Sequence, residues 1–255
     1  MTKIIYLTDL DDTLFSSIRK AIGPVGPAVT TAKNGHHSHM SPAQEGLFAL
    51  MRASGDIIPV TARSTDAFAR VHLDFGTKRA VLSNGAVILG DDGLPDQEWL
   101  AHTSSIGRSL EEVMEGMVAC VVEEFGEVAR SWVVREYGAP IYFCVKMNLD
   151  GPDEIQTGLM QATELLDDRF DLDGFQHHVN GNNLSFTPNG ISKRDACLHL
   201  IPRLGDRSEL TLIGAGDSNT DVPFMMLCDH LMIPTKSQVA KRAALRSGVG
   251  EGGDA

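Results

Sequence analysis

A short apolar segment near the N-terminus constrains this chain most. Residues 4–7 have the composition of a buried β-strand, and Asp9, Asp11 and Asp12 follow almost at once. In open α/β sheets, ligands bind just beyond the carboxyl ends of parallel strands. Carboxylates crowded there repel one another unless a cation lies between them, and Mg²⁺ is a hard ion that prefers oxygen ligands. The stretch therefore predicts a magnesium site, although by itself it would equally suit a strand ending in a polar turn.

Composition limits the classes of protein to consider. The chain has 255 residues, 42% of them hydrophobic, and no low-complexity tract, which indicates a globular protein of one domain or one domain with an insertion. It has neither an apolar run of about 20 residues nor a signal-peptide pattern at its start, so we expect a cytoplasmic protein without a membrane partner. Its four cysteines lie apart in apolar runs and are expected to be reduced packing residues.

The net charge of −12 disfavours binding to a nucleic-acid backbone or to an anionic membrane. An anionic substrate would have to meet a few local cations. We therefore expect a small-molecule partner and no nucleic-acid partner. The charge gives no indication of the oligomeric state.

Two further strand ends carry polar groups. Apolar residues 56–60 lead to Thr61 and Arg63, where a helix is predicted to begin near Ser64. A hydroxyl beside a helix N-terminus suits a phosphate group, although Thr61 could equally cap that helix. A strand at 80–82 leads to Asn84-Gly85, which is first of all a tight-turn signal.

The middle of the chain, residues 89–184, has the pattern of a separate unit. A helix is predicted at 105–125, then strands at 128–137 and 141–149, a helix at 153–169, and strands at 175–179 and 183–186. The order is αββαββ. It predicts an α+β domain inserted between residues 1–88 and 185–255, which would form an α/β core.

Charged residues also mark the return to the core. Lys193 stands at a predicted helix start, where a cation faces the positive end of the helix dipole, so an anion is expected nearby. An apolar strand at 210–213 then runs into a glycine-rich turn that carries Asp217, with Asp221 four residues later. Glycine permits the tight turn, and two more carboxylates arrive at the sheet edge.

Together these segments resemble the motifs of the haloacid dehalogenase superfamily. The matching residues are Asp9, Asp11 and Thr13 (first motif), Thr61 (second), Lys193 (third) and Asp217 with Asp221 (fourth). The Asn84-Gly85-Ala86 segment and the αββαββ insertion resemble the Cof-like phosphatases of that superfamily. The resemblance implies an α/β fold with a Rossmann-like, doubly wound parallel sheet and an inserted α+β cap. It departs from the Cof pattern at Asp12, where glycine is usual, and at Thr220, where asparagine is favoured.

The resemblance also implies an activity, the Mg²⁺-dependent hydrolysis of a phosphomonoester through an aspartyl phosphate. The implied roles are nucleophile for Asp9, general acid and base for Asp11, and phosphate binding for Thr61 and Lys193, with Arg63 and Asn84 as further substrate-binding residues. The implied Mg²⁺ ligands are the Asp9 carboxylate, the Asp11 backbone carbonyl and Asp217, supported by Asp221. The substrate would be a small phosphorylated metabolite, with sugar phosphates as the leading class by resemblance.

Other functions stay open at this point. A phosphomutase uses the same core, and a non-catalytic binding module could keep the same scaffold. A dehalogenase would leave Asp11 and Asp217 unexplained, because displacement of a halide needs neither an acid nor a metal ion. Arg135 and Lys146 could reach a second anionic group of a substrate or lie on solvated strands, and the histidines in residues 36–39 could bind a metal or form a solvated loop.

Overall fold

The computed structural model describes residues 2–20, 23–33 and 35–246. In chain order the strands are β1 (Lys3–Thr8), β2 (Ser16–Ser17), β3 (Ser38–His39), β4 (Gly55–Pro59), β5 (Ala80–Leu82), β6 (Val87–Leu89), β7 (Ala129–Glu136), β8 (Ala139–Met147), β9 (Phe175–Asn180), β10 (Asn183–Pro188), β11 (Leu210–Ala215) and β12 (His230–Met232). The α-helices are α1 (Pro42–Ser54), α2 (Thr65–Phe68), α3 (Gln97–Ser109), α4 (Glu111–Phe125), α5 (Pro152–Arg169), α6 (Lys193–Leu200), α7 (Val222–Met225) and α8 (Gln238–Arg246). Within the described residues, no helix is both long and apolar enough to cross a membrane.

The chain folds into two compact units. Met1–Asp96 and Lys193–Ala255 form what we call the core unit, and Gln97–Ser192 forms the inserted unit. Both junctions lie later in the chain than the predicted boundaries of 89 and 184. The reason is hydrogen bonding, because β6 pairs with β5 and the Asp96 N–H donates to the carbonyl of Ile88, whereas β10 stays paired with β9 as far as Pro188.

The core unit is built on a parallel sheet of strand order β12-β11-β1-β4. The last four residues of β1 are all buried, as expected for a strand covered on both faces. The predicted α/β class, with a parallel core sheet and an α+β insertion, is confirmed. Because the strands are parallel, β1, β4 and β11 end at the same edge of the sheet.

Apolar side chains anchor the loop that follows β1. Leu10, Leu14 and Phe15 are fully buried, and the N–H groups of Leu14 and Phe15 donate to the carbonyl of Leu10. Leu10 lies between Asp9 and Asp11 in the chain, and Leu14 and Phe15 follow Thr13. The buried apolar side chains thus hold the loop in place, while its carboxylates remain at the sheet edge.

The inserted unit contains an antiparallel sheet of order β7-β8-β10-β9, with an apolar core between the sheet and helices α4 and α5. The predicted single helix at 105–125 is in fact two helices, α3 and α4, which are separated at Leu110. The order is therefore ααββαββ instead of αββαββ. The buried residues of α3 are Trp99, Thr103 and Gly107, so the start of this helix carries little hydrophobic signal.

The close packing around Gly107 predicts that a larger residue at this position would destabilise the inserted unit. A Cβ atom added there would lie 1.8 Å from the carbonyl oxygen of Pro140, a backbone group that cannot rotate away. We expect Gly107→Ala to lower the free energy of unfolding by about 1–3 kcal/mol, as other overpacked sites do. Chemical denaturation followed by circular dichroism measures this change.

Gly46→Ala in α1 is the matched control. No heavy atom lies within 4 Å of a Cβ added at Gly46, so alanine should stabilise that helix by up to about 1 kcal/mol. Equal stability of the Gly107→Ala variant and the wild type would show that α3 does not lie against β8 as described.

Candidate active site

The first, second and fourth motifs converge because their strands are neighbours. The N–H of Asp9 donates to the carbonyl of Ala215 at 2.8 Å, which joins the end of β1 to the end of β11. On the other side, the N–H of Val60 donates to the carbonyl of Thr8 at 2.7 Å. Asp9, Thr61 and the turn with Asp217 thus leave the sheet at adjacent positions.

Lys193 joins the third motif to this edge. Its Nζ donates to Oδ1 of Asp9 and to Oδ1 of Asp221, each at 2.7 Å, and all three residues are buried. Lys193 is the first residue of α6, where the helix dipole disfavours a cation. The two carboxylates supply the anionic environment that the sequence led us to expect.

Lys193 stabilises the charged forms of Asp221 and Asp9 to different extents. Burial alone would lower the pKa of Lys193, but the charges of Asp9 and Asp221 outweigh it and raise that pKa. Burial also opposes ionisation of Asp221, yet Lys193 and Ser218 hold the pKa of Asp221 below its usual value. Burial raises the pKa of Asp9 to about 7 in spite of Lys193, and Asp221 adds to the rise. The ammonium group of Lys193 therefore compensates the negative charge of Asp221 well, but it compensates that of Asp9 only in part.

Ser218 completes the hydrogen bonding of Asp221. Its N–H and its hydroxyl donate to Oδ2 of Asp221 at 3.0 and 2.7 Å. Gly216 permits this arrangement, because a Cβ there would lie 2.5 Å from Cβ of Asp221. The sequence analysis missed Ser218, although a serine three residues before an aspartate is a common local hydrogen-bonding pattern.

A magnesium ion suits the carboxylates at this edge. Ligand oxygens of Asp9, Asp217 and Asp221 lie within 4.8 Å of one another, and an all-oxygen donor set is the one Mg²⁺ prefers. Burial, with the charges of Asp221 and Asp12, raises the pKa of Asp217 to about 6, which reflects the excess negative charge. Oδ2 of Asp221 accepts two hydrogen bonds from Ser218, whereas Oδ2 of Asp9 accepts one long hydrogen bond, at 3.5 Å, from the hydroxyl of Thr13. Asp9 and Asp217 are therefore the better placed ligands.

Arg63 contacts the predicted acid and base. Its Nε and Nη2 donate to the two carboxylate oxygens of Asp11, each at 2.7 Å, and its guanidinium lies 5.1 Å from the ring centre of Phe15. Such bidentate pairs fix the orientation of both groups. Nη2 also donates to the hydroxyl of Ser38 at 3.5 Å. The predicted contact of Arg63 with substrate stays a prediction.

Thr61 and Asn84 lie on neighbouring turns. Thr61 is buried, and its Oγ1 accepts a hydrogen bond from the N–H of Arg63 at 3.2 Å. Asn84 has a left-handed backbone, with φ of 56°, and its N–H donates to the carbonyl of Thr61 at 3.1 Å. The structure therefore brings both predicted residues to the edge that holds Asp9.

Asp12 also adopts a left-handed backbone, with φ of 62°. For a residue other than glycine this conformation costs roughly 1–2 kcal/mol. Its carboxylate accepts a hydrogen bond from Nζ of Lys20, but both side chains are partly exposed, and such ion pairs contribute at most about 1 kcal/mol. The ion pair therefore does not compensate for the cost of this backbone conformation at an aspartate.

Two further predicted candidates, Arg135 and Lys146, lie on strands of the inserted unit. Arg135 donates to Glu111 and Glu115 on α4, each at 2.7 Å, so its guanidinium is held within the inserted unit. Lys146 lies on β8, in register with Asn183 of β10.

The histidines in residues 36–39 contact their own loop and its neighbours. His37 accepts from the N–H of Ala32, His39 bonds to the carbonyl of Gly26, and His36 bonds to Arg19. Among the described residues, the groups of side chains that could hold a metal ion do not include these histidines. Asn34, beside this loop, lies outside the described residues.

The sequence matches no family model and no curated protein. Solved structures do match. The C-terminal domain of trehalose-6-phosphate phosphatase from C. albicans aligns over 88% of this chain and 73% of its own, at 13% identity and a TM-score of 0.57. An N-terminally truncated IMP-nucleotidase from Plasmodium falciparum aligns over 98% of this chain and 71% of its own, at 13% identity and a TM-score of 0.54. A Streptococcus mutans protein aligns over 96% of this chain and 91% of its own, at 12% identity and a TM-score of 0.52.

At these identities the likeness concerns the fold. It extends over nearly the whole chain and includes both the parallel sheet of the core unit and the antiparallel sheet of the inserted unit. The chain therefore has the fold of these solved structures.

Proposed function

We propose that this protein is a Mg²⁺-dependent phosphomonoesterase that acts through an aspartyl phosphate on Asp9. The observation that carries the proposal is the buried bridge from Lys193 to Asp9 and Asp221, with Asp217 beside it. One edge of the parallel sheet thus holds the proposed nucleophile Asp9, the cation Lys193, and carboxylates that suit Mg²⁺. Two solved structures with this fold carry the names of a phosphatase and a nucleotidase, which supports a phosphorylated small molecule as substrate.

In the first half of the reaction, a carboxylate oxygen of Asp9 attacks phosphorus while the bond from phosphorus to the ester oxygen breaks. Lys193 donates to the Asp9 carboxylate and counters negative charge on the phosphoryl oxygens. Thr61, at the neighbouring strand end, is placed to hold those oxygens. Asp9, Asp217 and the backbone carbonyl of Asp11 would hold Mg²⁺, which would supply further positive charge.

Asp11 is the proposed general acid and base. It gives a proton to the leaving alkoxide and then takes one from the water that hydrolyses the aspartyl phosphate, which returns Asp9 and releases inorganic phosphate. Arg63 fixes the plane of the Asp11 carboxylate through its two hydrogen bonds. We therefore propose Arg63 as a positioning residue for Asp11, in addition to its predicted contact with substrate.

The substrate class is a small phosphorylated metabolite, and sugar phosphates lead because of the family resemblance. A panel of sugar, nucleotide and glycolytic phosphates, assayed for phosphate release with and without Mg²⁺, tests the proposal. Release of phosphate from one class would identify the substrate. Isomerised product without inorganic phosphate would indicate a phosphomutase, and the absence of any release would contradict the proposal.

Substitution of the nucleophile tests the mechanism. We expect Asp9→Asn to reduce kcat at least about a thousandfold, because an amide cannot form the acyl phosphate. Since burial penalises a charged carboxylate at this position, the neutral isostere should keep the melting temperature close to that of the wild type. Steady-state kinetics and calorimetry measure the two effects.

Asp56→Asn is the control for that variant. Asp56 pairs with Lys3 at 2.7 Å near the other end of the same sheet and should keep full activity when neutralised. An Asp9→Asn variant with the wild-type rate would refute the assigned nucleophile.

Removal of the metal gives a second test. Dialysis against EDTA should abolish activity, and added Mg²⁺ should restore it. In Asp217→Asn, the Mg²⁺ concentration for half-maximal activity should rise by about 10- to 100-fold, the usual scale for weakened metal sites. Full activity after removal of divalent ions would contradict the role of metal.

A further inference from the structure

Asp12 and Lys20 form an ion pair next to the proposed acid and base. Asp12 directly follows Asp11, and its negative charge contributes to the raised pKa of Asp217, so its carboxylate lies within electrostatic reach of the metal-binding group. The ammonium group of Lys20 is held on this carboxylate. A cation is thereby held by the residue that directly follows the proposed acid and base.

Lys20 differs from the two other cations of the site in exposure. The side chain of Lys193 is 9% exposed and shared by two carboxylates, and that of Arg63 is 18% exposed and bonded twice to Asp11. The side chain of Lys20 is 59% exposed. An ammonium group has three N–H donors, so Lys20 can keep Asp12 and still donate to a ligand from solvent.

The backbone of Asp12 supports a role beyond stability. Its left-handed conformation would suit glycine better, and a pair this exposed does not offset the strain. Strained residues that persist near a site are often tied to its function. The aspartate at position 12 holds the ammonium group of Lys20 in place. This local positive charge matters because the net charge of the chain, −12, repels polyanions.

We propose that Lys20, anchored by Asp12, is a specificity residue that binds a second anionic group of the substrate, a carboxylate or a second phosphate. In this arrangement Lys193 and Thr61 bind the phosphate that is hydrolysed, and Lys20 binds the second anionic group. This inference rests on the proposed phosphatase function. It narrows the substrates to phosphate esters that carry a further negative charge.

Matched pairs of ligands test the proposal by competition against p-nitrophenyl phosphate hydrolysis. For the carboxylate, 3-phosphoglycerate is compared with glycerol 3-phosphate. For the second phosphate, fructose 1,6-bisphosphate is compared with fructose 6-phosphate. In the wild type we expect the more anionic member of at least one pair to bind about tenfold more tightly, the scale of one added charged contact. In Lys20→Met that ratio should fall to about one.

Two further variants separate specificity from folding. Lys3→Met is the control, because the Lys3 pair with Asp56 has nearly the same exposure, 57% and 31% against 59% and 32% for Lys20 and Asp12, and it should keep the tenfold ratio. Asp12→Gly should reduce the ratio without lowering the melting temperature, because glycine accepts the left-handed backbone.

A ratio near one in both wild-type pairs, or an unchanged ratio in Lys20→Met, would overturn the inference while leaving the phosphatase proposal intact. If the wild type did not hydrolyse p-nitrophenyl phosphate in the presence of Mg²⁺, the proposed function would fail first and this inference with it.

Discussion

The rest of the site depends on the contact of Lys193 with Asp9 and Asp221. A buried ammonium group is several kcal/mol less stable than a solvated one unless anions compensate it, and here Asp221 and Asp9 supply those anions. Asp9 and Lys193 are 184 residues apart in sequence, and the entire inserted unit lies between them. Their contact therefore joins the two sequence segments of the core unit at the point where we place the chemistry.

The same cluster explains how an acidic protein can bind an anion. Ser218 donates to Asp221, and Asp221 accepts a hydrogen bond from Lys193, while the negative charge of Asp9 is only partly compensated. Positive charge from Mg²⁺ is what such a group of carboxylates lacks. In this account the negative charge of the chain repels anions in general, and the local cations select those that carry a phosphate ester.

Sequence patterns predicted those features of the structure that depend on residues close together in the chain. An apolar strand followed by carboxylates predicted the edge that holds Asp9, and a lysine at a helix start predicted a nearby anion. The contact of Arg63 with Asp11 could not be predicted, because the residues are 52 positions apart and either charge could face solvent. The start of α3 could not be predicted because its buried positions include Thr103 and Gly107, which give little hydrophobic signal. The boundaries between the two units differ from the predicted ones because they depend on backbone hydrogen bonds, which composition does not indicate.

The central claim is that Asp9 carries the phosphoryl group during turnover. Acid quenching of a reaction with ³²P-labelled substrate, followed by proteolysis and mass spectrometry, tests it directly. The account predicts a hydroxylamine-sensitive acyl phosphate on the peptide that contains Asp9, which forms and decays within one turnover. Labelled phosphate released at full rate without any labelled peptide, or label on another residue, would contradict it.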